Sequence, residues 1–116
     1  MPVEIRFTAT PLEYAHILVK FFEQYNHEDP GNQAWAIGLE NVREWLRLSE
    51  TREASRSEVE ALVKSVFENY RRFDSKVWFD TAIGVGKWCK ANGNLDLISD
   101  DFRHLLGTGN ESTQPQ

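Results

Sequence analysis

With one cysteine among its 116 residues, the chain can form neither an internal disulfide nor a multi-cysteine metal site. No apolar run approaches the ~18 residues that a membrane-spanning helix requires, so no span is expected. Basic residues are the minority: 13 Lys and Arg stand against 18 Asp and Glu, a formal net charge of −5. Non-specific nucleic-acid binding rests on neutralising phosphates with Lys and Arg, and this balance argues against it. Long acidic runs are missing too, which argues against a mimic of DNA; a modest acidic excess serves solubility. The first residues lack a basic segment followed by an apolar one, the mark of a secretory signal. Together with the scarcity of cysteine, this predicts a cytoplasmic location. Nothing repeats internally and no linker divides the chain. A single helical domain is expected over residues 1–107, followed by a disordered tail of low apolar content over 108–116.

What the chain does carry is apolar content at helical spacing. Hydrophobic residues make up 41% and charged residues 27%, a globular balance. The most apolar stretch is Lys76 to Ala91, with Trp78, Ala82, Val85 and Cys89 on one stripe and Val77, Thr81, Gly84 and Trp88 on a second. Its polar residues, Lys76, Asp80, Lys87 and Lys90, share one narrow line interrupted by Ile83. A helix with so little polar surface belongs at the centre of a bundle.

Around it the sequence predicts three more main helices and a short last one. Thr10-Pro11-Leu12-Glu13 is a capping box with proline at the first helical position, opening a helix to about Tyr25. Leu12, Ala15, Val19 and Phe22 form one stripe on it, and Tyr14, Leu18, Phe21 and Tyr25 another. Asp29-Pro30-Gly31 separates it from a second helix starting near Asn32, whose inward face is read as Trp35, Leu39, Val42 and Leu46. Ser49 to Arg56 reads as loop or fraying helix end. Ser57-Glu58-Val59-Glu60 is a capping box for a third helix facing inward through Val59, Leu62, Val63, Val66, Phe67 and Tyr70. Asp74 or Ser75 caps the central helix, Asn92-Gly93 ends it, and Ser99 opens a short helix over Asp100–Leu106 that stops at Gly107.

Two features stand outside this all-α plan. Val3 to Thr8 alternates, with Val3, Ile5 and Phe7 on one side, and reads as a short strand. It needs a pairing partner, either Leu95–Ile98 or another chain. Ala34/Gly38 and Ala82/Gly86 are small residues at helical spacing, which predicts a close crossing of the second and central helices. The other reading is that Gly84 and Gly86 break the central helix in two.

Tests for chemistry fail one after another. Gly84-Val85-Gly86-Lys87 is no phosphate loop, because Thr81 stands where the first glycine belongs and Trp88 where Ser or Thr must hold magnesium. Cys89 continues the inward stripe and has no histidine near it in sequence. His16, His27 and His104 lack metal-ligand spacing, and the calcium-loop pattern around Gly93 matches at Asn92 alone. No cofactor fingerprint and no metal site emerges.

Val85, Trp88, Ala91, Asn92 and Gly93 resemble the final helix of the nuclease-colicin immunity proteins, small acidic helical inhibitors, and Val3 to Glu13 is loosely similar to their start. The likeness ends there. The family's Tyr-Tyr-Pro binding motif is absent, Phe67 to Phe73 offers no substitute, and no function is carried over.

The expected function is that of a non-enzymatic protein-binding domain, such as an adaptor, inhibitor or immunity-type factor, with another protein or a second copy as partner. Val3, Ile5, Phe7, Trp45, Leu48 and Ile83 are the candidate contact residues, the first three as a strand in need of a partner and the last three because helical stripes explain them least. The competing expectation is a small helical enzyme or ligand-binding bundle with an aromatic pocket around Trp35, Trp78 and Trp88.

Overall fold

The computed structural model describes residues 10–51 and 54–107. Over these residues the chain forms α1 (Pro11–Glu28), α2 (Gln33–Glu50), α3 (Arg56–Phe73), α4 (Lys76–Ala91) and α5 (Asp100–Gly107), with a 3-10 turn at Leu95–Leu97. The architecture is all-α, and no strand occurs among the described residues. The alternating segment Val3–Thr8 and the expected tail over 108–116 lie outside them. Leu95–Ile98 offers no strand pairing, since Leu97 and Ile98 turn their N–H groups back onto Asn94 and Leu95 carbonyls at 3.0 Å each.

Local chemistry sets the helix ends. At α1, Thr10 Oγ1 accepts from the Glu13 N–H at 3.1 Å while Glu13 Oε1 accepts from the Thr10 N–H at 2.9 Å. At α3 the same reciprocal pair is made by Ser55 and Glu58, two residues before the expected Ser57 and Glu60. Both serines have an acidic residue three positions on. The Glu58 of the observed box also lies 3.2 Å from Arg47 on α2. Ser75 caps α4, accepting from the Trp78 N–H at 3.3 Å. Asp74 takes a left-handed conformation with φ 43°, so two residues suffice to reverse the chain between α3 and α4.

Short connections make sequential helices antiparallel neighbours. α1 packs on α2, α2 on α3, α3 on α4 and α4 on α1, closing a four-helix bundle. The 3-10 turn and α5 lie against α4 as well, so α4 touches every other element. Half of its 16 residues are buried, and Trp78, Ala82, Val85 and Cys89 have no solvent exposure. The central-helix expectation holds, and the helix runs unbroken through Gly84 and Gly86. Trp78 is satisfied within the core, donating Nε1–H to the Ala34 carbonyl at 3.3 Å.

The second helix is turned differently from its expected face. Ala34, Gly38, Val42, Trp45 and Leu48 are its buried residues, whereas Trp35, Leu39 and Leu46 are only partly covered. Pattern reading favours large apolar residues as the inward edge. Here the small edge faces in, because Gly38 receives the Phe22 ring of α1: a Cβ at Gly38 would overlap that ring. Gly84 likewise receives Trp45, where a Cβ would lie 2.6 Å from the indole, and Gly86 receives Leu106 of α5 at 2.7 Å. The expected close crossing of α2 on α4 is therefore corrected. These glycines admit side chains of α1, α2 and α5, and α2 and α4 lie across the bundle diagonal, meeting mainly through long side chains rather than backbone to backbone. Between α2 and α3 a polar ladder fixes register: Asn41 Nδ2 donates to Ser65 Oγ, and Asn69 Nδ2 to Asn41 Oδ1, both at 3.0 Å.

Phe22 is fully buried, with Trp35 and Trp78 ring centroids at 6.3 and 5.5 Å, so its ring has nowhere to retreat. Gly38→Ala should destabilise the bundle by about 1–3 kcal/mol through overpacking, despite alanine's better helix propensity. Urea denaturation of Gly38→Ala, Phe22→Leu and the double variant provides the check. The double variant should be clearly more stable than the sum of the single losses implies, because a smaller side chain reopens the space. Strict additivity would mean that the ring does not fill the Gly38 socket.

Candidate functional site

Of the expected contact residues, the three that are described, Trp45, Leu48 and Ile83, do not form an exposed surface. Trp45 is 0% exposed and Leu48 1%, both inside the core because α2 turns its Gly38–Val42–Trp45 edge inward. These two are corrected from contact to packing residues. Ile83 is partly buried and packs against the same core. Val3, Ile5 and Phe7 lie outside the described residues. The three indoles of the alternative reading share no pocket either. Trp35 and Trp78 both pack on Phe22, whereas Trp88 packs on Trp45 with ring centroids 6.5 Å apart. Ten residues of helix, about 15 Å of rise, separate Trp78 from Trp88.

The exposed apolar surface is elsewhere. Ile17, Phe21 and Tyr25 are exposed by 43, 45 and 36% and recur every four residues along α1, one above another. Phe21 and Tyr25 stack with centroids 6.3 Å apart and planes 15° from parallel. Tyr25 continues onto the partly covered Trp35 of α2 at 5.1 Å. Sequence reading placed Phe21 and Tyr25 on an inward stripe and did not assign Ile17, and the fold corrects this. α1 has apolar residues around much of its circumference but only α2 and α4 as main neighbours. Ala15, Leu18 and Phe22 fill those contacts, and the remaining arc stays in water. Having more apolar stripes than neighbouring helices was the signal available in the sequence.

A second feature is concave. The C-terminal ends of α2 and α4 and the N-terminal end of α3 enclose a cleft of about 320 Å³, lined on its apolar side by Leu48, Ala54, Val59 and Trp88. Ser49, Thr51, Asn92 and Asn94 supply its polar side. Ion pairs fasten the surrounding elements. Arg47 bridges Glu44 at 2.7 Å and Glu58 at 3.2 Å, joining α2 to α3. Arg56 pairs with Asp96, joining α3 to the 3-10 turn. Hydrogen bonding from Arg47 holds the Glu44 carboxyl below its ordinary range, and the Ser55 N–H followed by Arg47 does the same for Glu58. Arg56 lowers Asp96 in the same way. Behind the cleft, Ser49 Oγ and Trp45 Nε1, one helical turn apart on α2, are shielded from solvent with no hydrogen-bond partner among the described residues.

Neither reactive chemistry nor ion binding is laid out by these groups. Among the described residues no cluster of His, Cys, Asp and Glu could hold a metal ion. Burial, with a lesser contribution from Asp96, pushes the Cys89 thiol up to about 12, far from a reactive thiolate. Burial, followed by Asp80, likewise pushes the Tyr14 phenol up to about 12. Both groups ionise more readily once unfolded, at about 9.0 and 10.0. Their linked stability is therefore complete below about pH 9 and is lost as pH rises toward 12. Stability measured by urea at neutral pH and at about pH 11 should fall between the two, and Tyr14→Phe should reduce the fall. An unaltered fall in Tyr14→Phe would remove Tyr14 from the account.

Set beside protein-family models, curated proteins and solved structures, the chain matches none of them, and the functional reading rests on the α1 stripe itself.

Proposed function

We propose that this chain is a non-enzymatic protein-binding domain and that its contact surface is the Ile17–Phe21–Tyr25 stripe of α1, extended by Trp35. The observation that carries this reading is the exposure of Ile17 and Phe21, 43 and 45%, in a bundle whose other helices bury their aromatic rings wholly or in part. Exposed apolar residues scattered singly need no explanation, but three stacked along one helix face form a contiguous patch. Phe and Tyr offer large contact area with two side-chain torsions to order, which favours them as binding anchors. Leu12 and Leu105, exposed by 37 and 44%, stand apart from the stripe and serve as controls.

The partner presents an apolar helix face of its own, in the manner of helix-to-helix docking. A second copy meeting α1 against α1 across a two-fold axis is the simplest version. A stable interface covers about 800 Å² per partner, so the contact extends beyond the stripe onto flanking residues of α1. The exposed flank carries Lys20 and Gln24, while the opposite flank runs into the buried Leu18.

Phe21→Asp tests the reading, because an exposed position accepts a charge without loss of folding. Sedimentation should show self-association of the parent chain that Phe21→Asp weakens at least tenfold, about 1.4 kcal/mol, while Leu105→Asp leaves it intact. If the parent chain is monomeric, the same pair of variants is compared for retention of host proteins bound by the parent. Variants Phe21→Asp and Ile17→Asp that fold and keep both the oligomeric state and every bound protein would refute the α1 surface.

A further inference from the structure

Thr10, the N-cap of α1, stands on the same side of the helix as the exposed apolar stripe. It precedes Ile17 by seven residues and Phe21 by eleven, close to two and three whole turns, so the three share one face. Its backbone is extended, with φ −72° and ψ 162°, and the chain therefore joins α1 at the end of the stripe itself. Ahead of it, Val3, Ile5 and Phe7 alternate with Glu4, Arg6 and Thr8. In an extended segment such alternate residues share one side and recur about every 6.6 Å. Residues four apart on a helix recur about every 6.0 Å, so the two apolar rows are commensurate. Ala9 and Tyr14 hold the two positions flanking the cap at which an apolar pair fixes the angle of the entering chain.

We propose that the segment Val3–Ala9 folds back along α1 and covers the Ile17–Phe21 end of the stripe, as a built-in competitor for the surface assigned above. The competition rests on that assignment; the contact itself does not. Thr8 and Ala9 make the step outward from the helix backbone. Phe7 then comes beside Tyr14, Ile5 beside Ile17 and Val3 beside Phe21. Reach is sufficient: seven extended residues span about 23 Å, and Phe21 lies about 16 Å along the axis from Thr10. Glu4, Arg6 and Thr8 face water, so no charge is buried. On the surface the segment keeps its backbone groups within reach of water and needs no strand partner. Three side chains of this size bind weakly as a separate peptide. Tethering through Thr10 makes the contact intramolecular, at an effective concentration of about millimolar, and a partner of larger area displaces it. Tyr25 and Trp35 stay open as the partner's first foothold.

The contact is tested in the full chain with paired cysteines. In dilute solution with oxidised glutathione, Val3→Cys with Phe21→Cys should close a disulfide within one chain at least ten times faster than Val3→Cys with Leu105→Cys. Cys89 is buried and stays out of the reaction. Arg6 is the one basic residue among residues 1–9, so trypsin cleavage after it reports on the segment directly. Phe21→Asp should speed that cleavage about tenfold, and Leu105→Asp should leave it unchanged. Ile5→Asp should tighten the association made by the α1 surface several-fold, the reverse of Phe21→Asp, because it frees the surface. Equal rates for the two cysteine pairs, or cleavage at Arg6 indifferent to Phe21→Asp, overturn the proposal. A disulfide joining two chains also overturns it, making a second copy the occupant. Closure of the Val3–Phe21 pair with no gain in association from Ile5→Asp overturns the competition. Failure of the α1 surface itself looks different: the pair still closes, which upholds the contact, while Phe21→Asp alters no association.

Discussion

Three large side chains rest on bare helix backbone, and the arrangement of the bundle depends on them. Phe22 of α1 covers Gly38, Trp45 of α2 covers Gly84, and Leu106 of α5 covers Gly86. Each contact places a bulky group where any side chain on the receiving helix would collide with it. Every glycine in a helix interior loses roughly 1 kcal/mol against alanine in propensity, and the ring burial it permits offsets that loss. Rotation of each helix follows from this. Once Phe22 must meet Gly38, α2 can only turn Val42 and Trp45 inward with it, and Leu39 and Leu46 swing toward the rim.

This is also where reading the sequence reached its limit. Helix number, order and most boundaries were legible, because capping boxes at Thr10–Glu13 and proline and glycine signals mark them directly. The burial of α4 was legible for the same reason: only a surrounded helix tolerates so few polar residues. The rotation of α2 was not, since periodicity ranks residues by hydrophobicity and gives glycine no weight as a receiver of rings. Trp45 therefore seemed displaced from its helix face, and became a candidate contact residue, when it is the centre of that face. Phe21 and Tyr25 failed in the opposite direction. Their spacing was helical and apolar, but spacing does not say how many neighbours a helix will have. Ser55 and Ser57 each have an acidic residue three positions on, so local pattern did not choose between them as cap. The cleft was invisible, being made by three helix ends that come together only in the fold.

Both candidate sites arise from how the bundle closes. A ring of four antiparallel helices gives each two flanking neighbours, and α5 packs on α4, leaving part of α1 uncovered. At one end, α2 stops at Glu50, α3 starts at Arg56 and α4 stops at Ala91, so backbone ends and short polar side chains converge there. The side chains of Arg47 and Arg56 brace that end through carboxylates of two different elements. Exposed pairs of this kind add little stability singly. Their contribution here is geometric, because they tie α3 to α2 and to the 3-10 turn around the cleft.

Cys89 carries a consequence of a different kind. It is the sole thiol of the chain, it has no solvent exposure, and it sits on the helix that touches every other element. A thiol reagent can reach it only when α4 parts from its neighbours, so the rate of modification reports how often the bundle opens rather than how reactive the sulfur is. The molecule thus contains its own clock for internal breathing. Substitutions at the Gly38, Gly84 and Gly86 sockets can be ranked by that clock under fully native conditions, without denaturant and without an introduced cysteine.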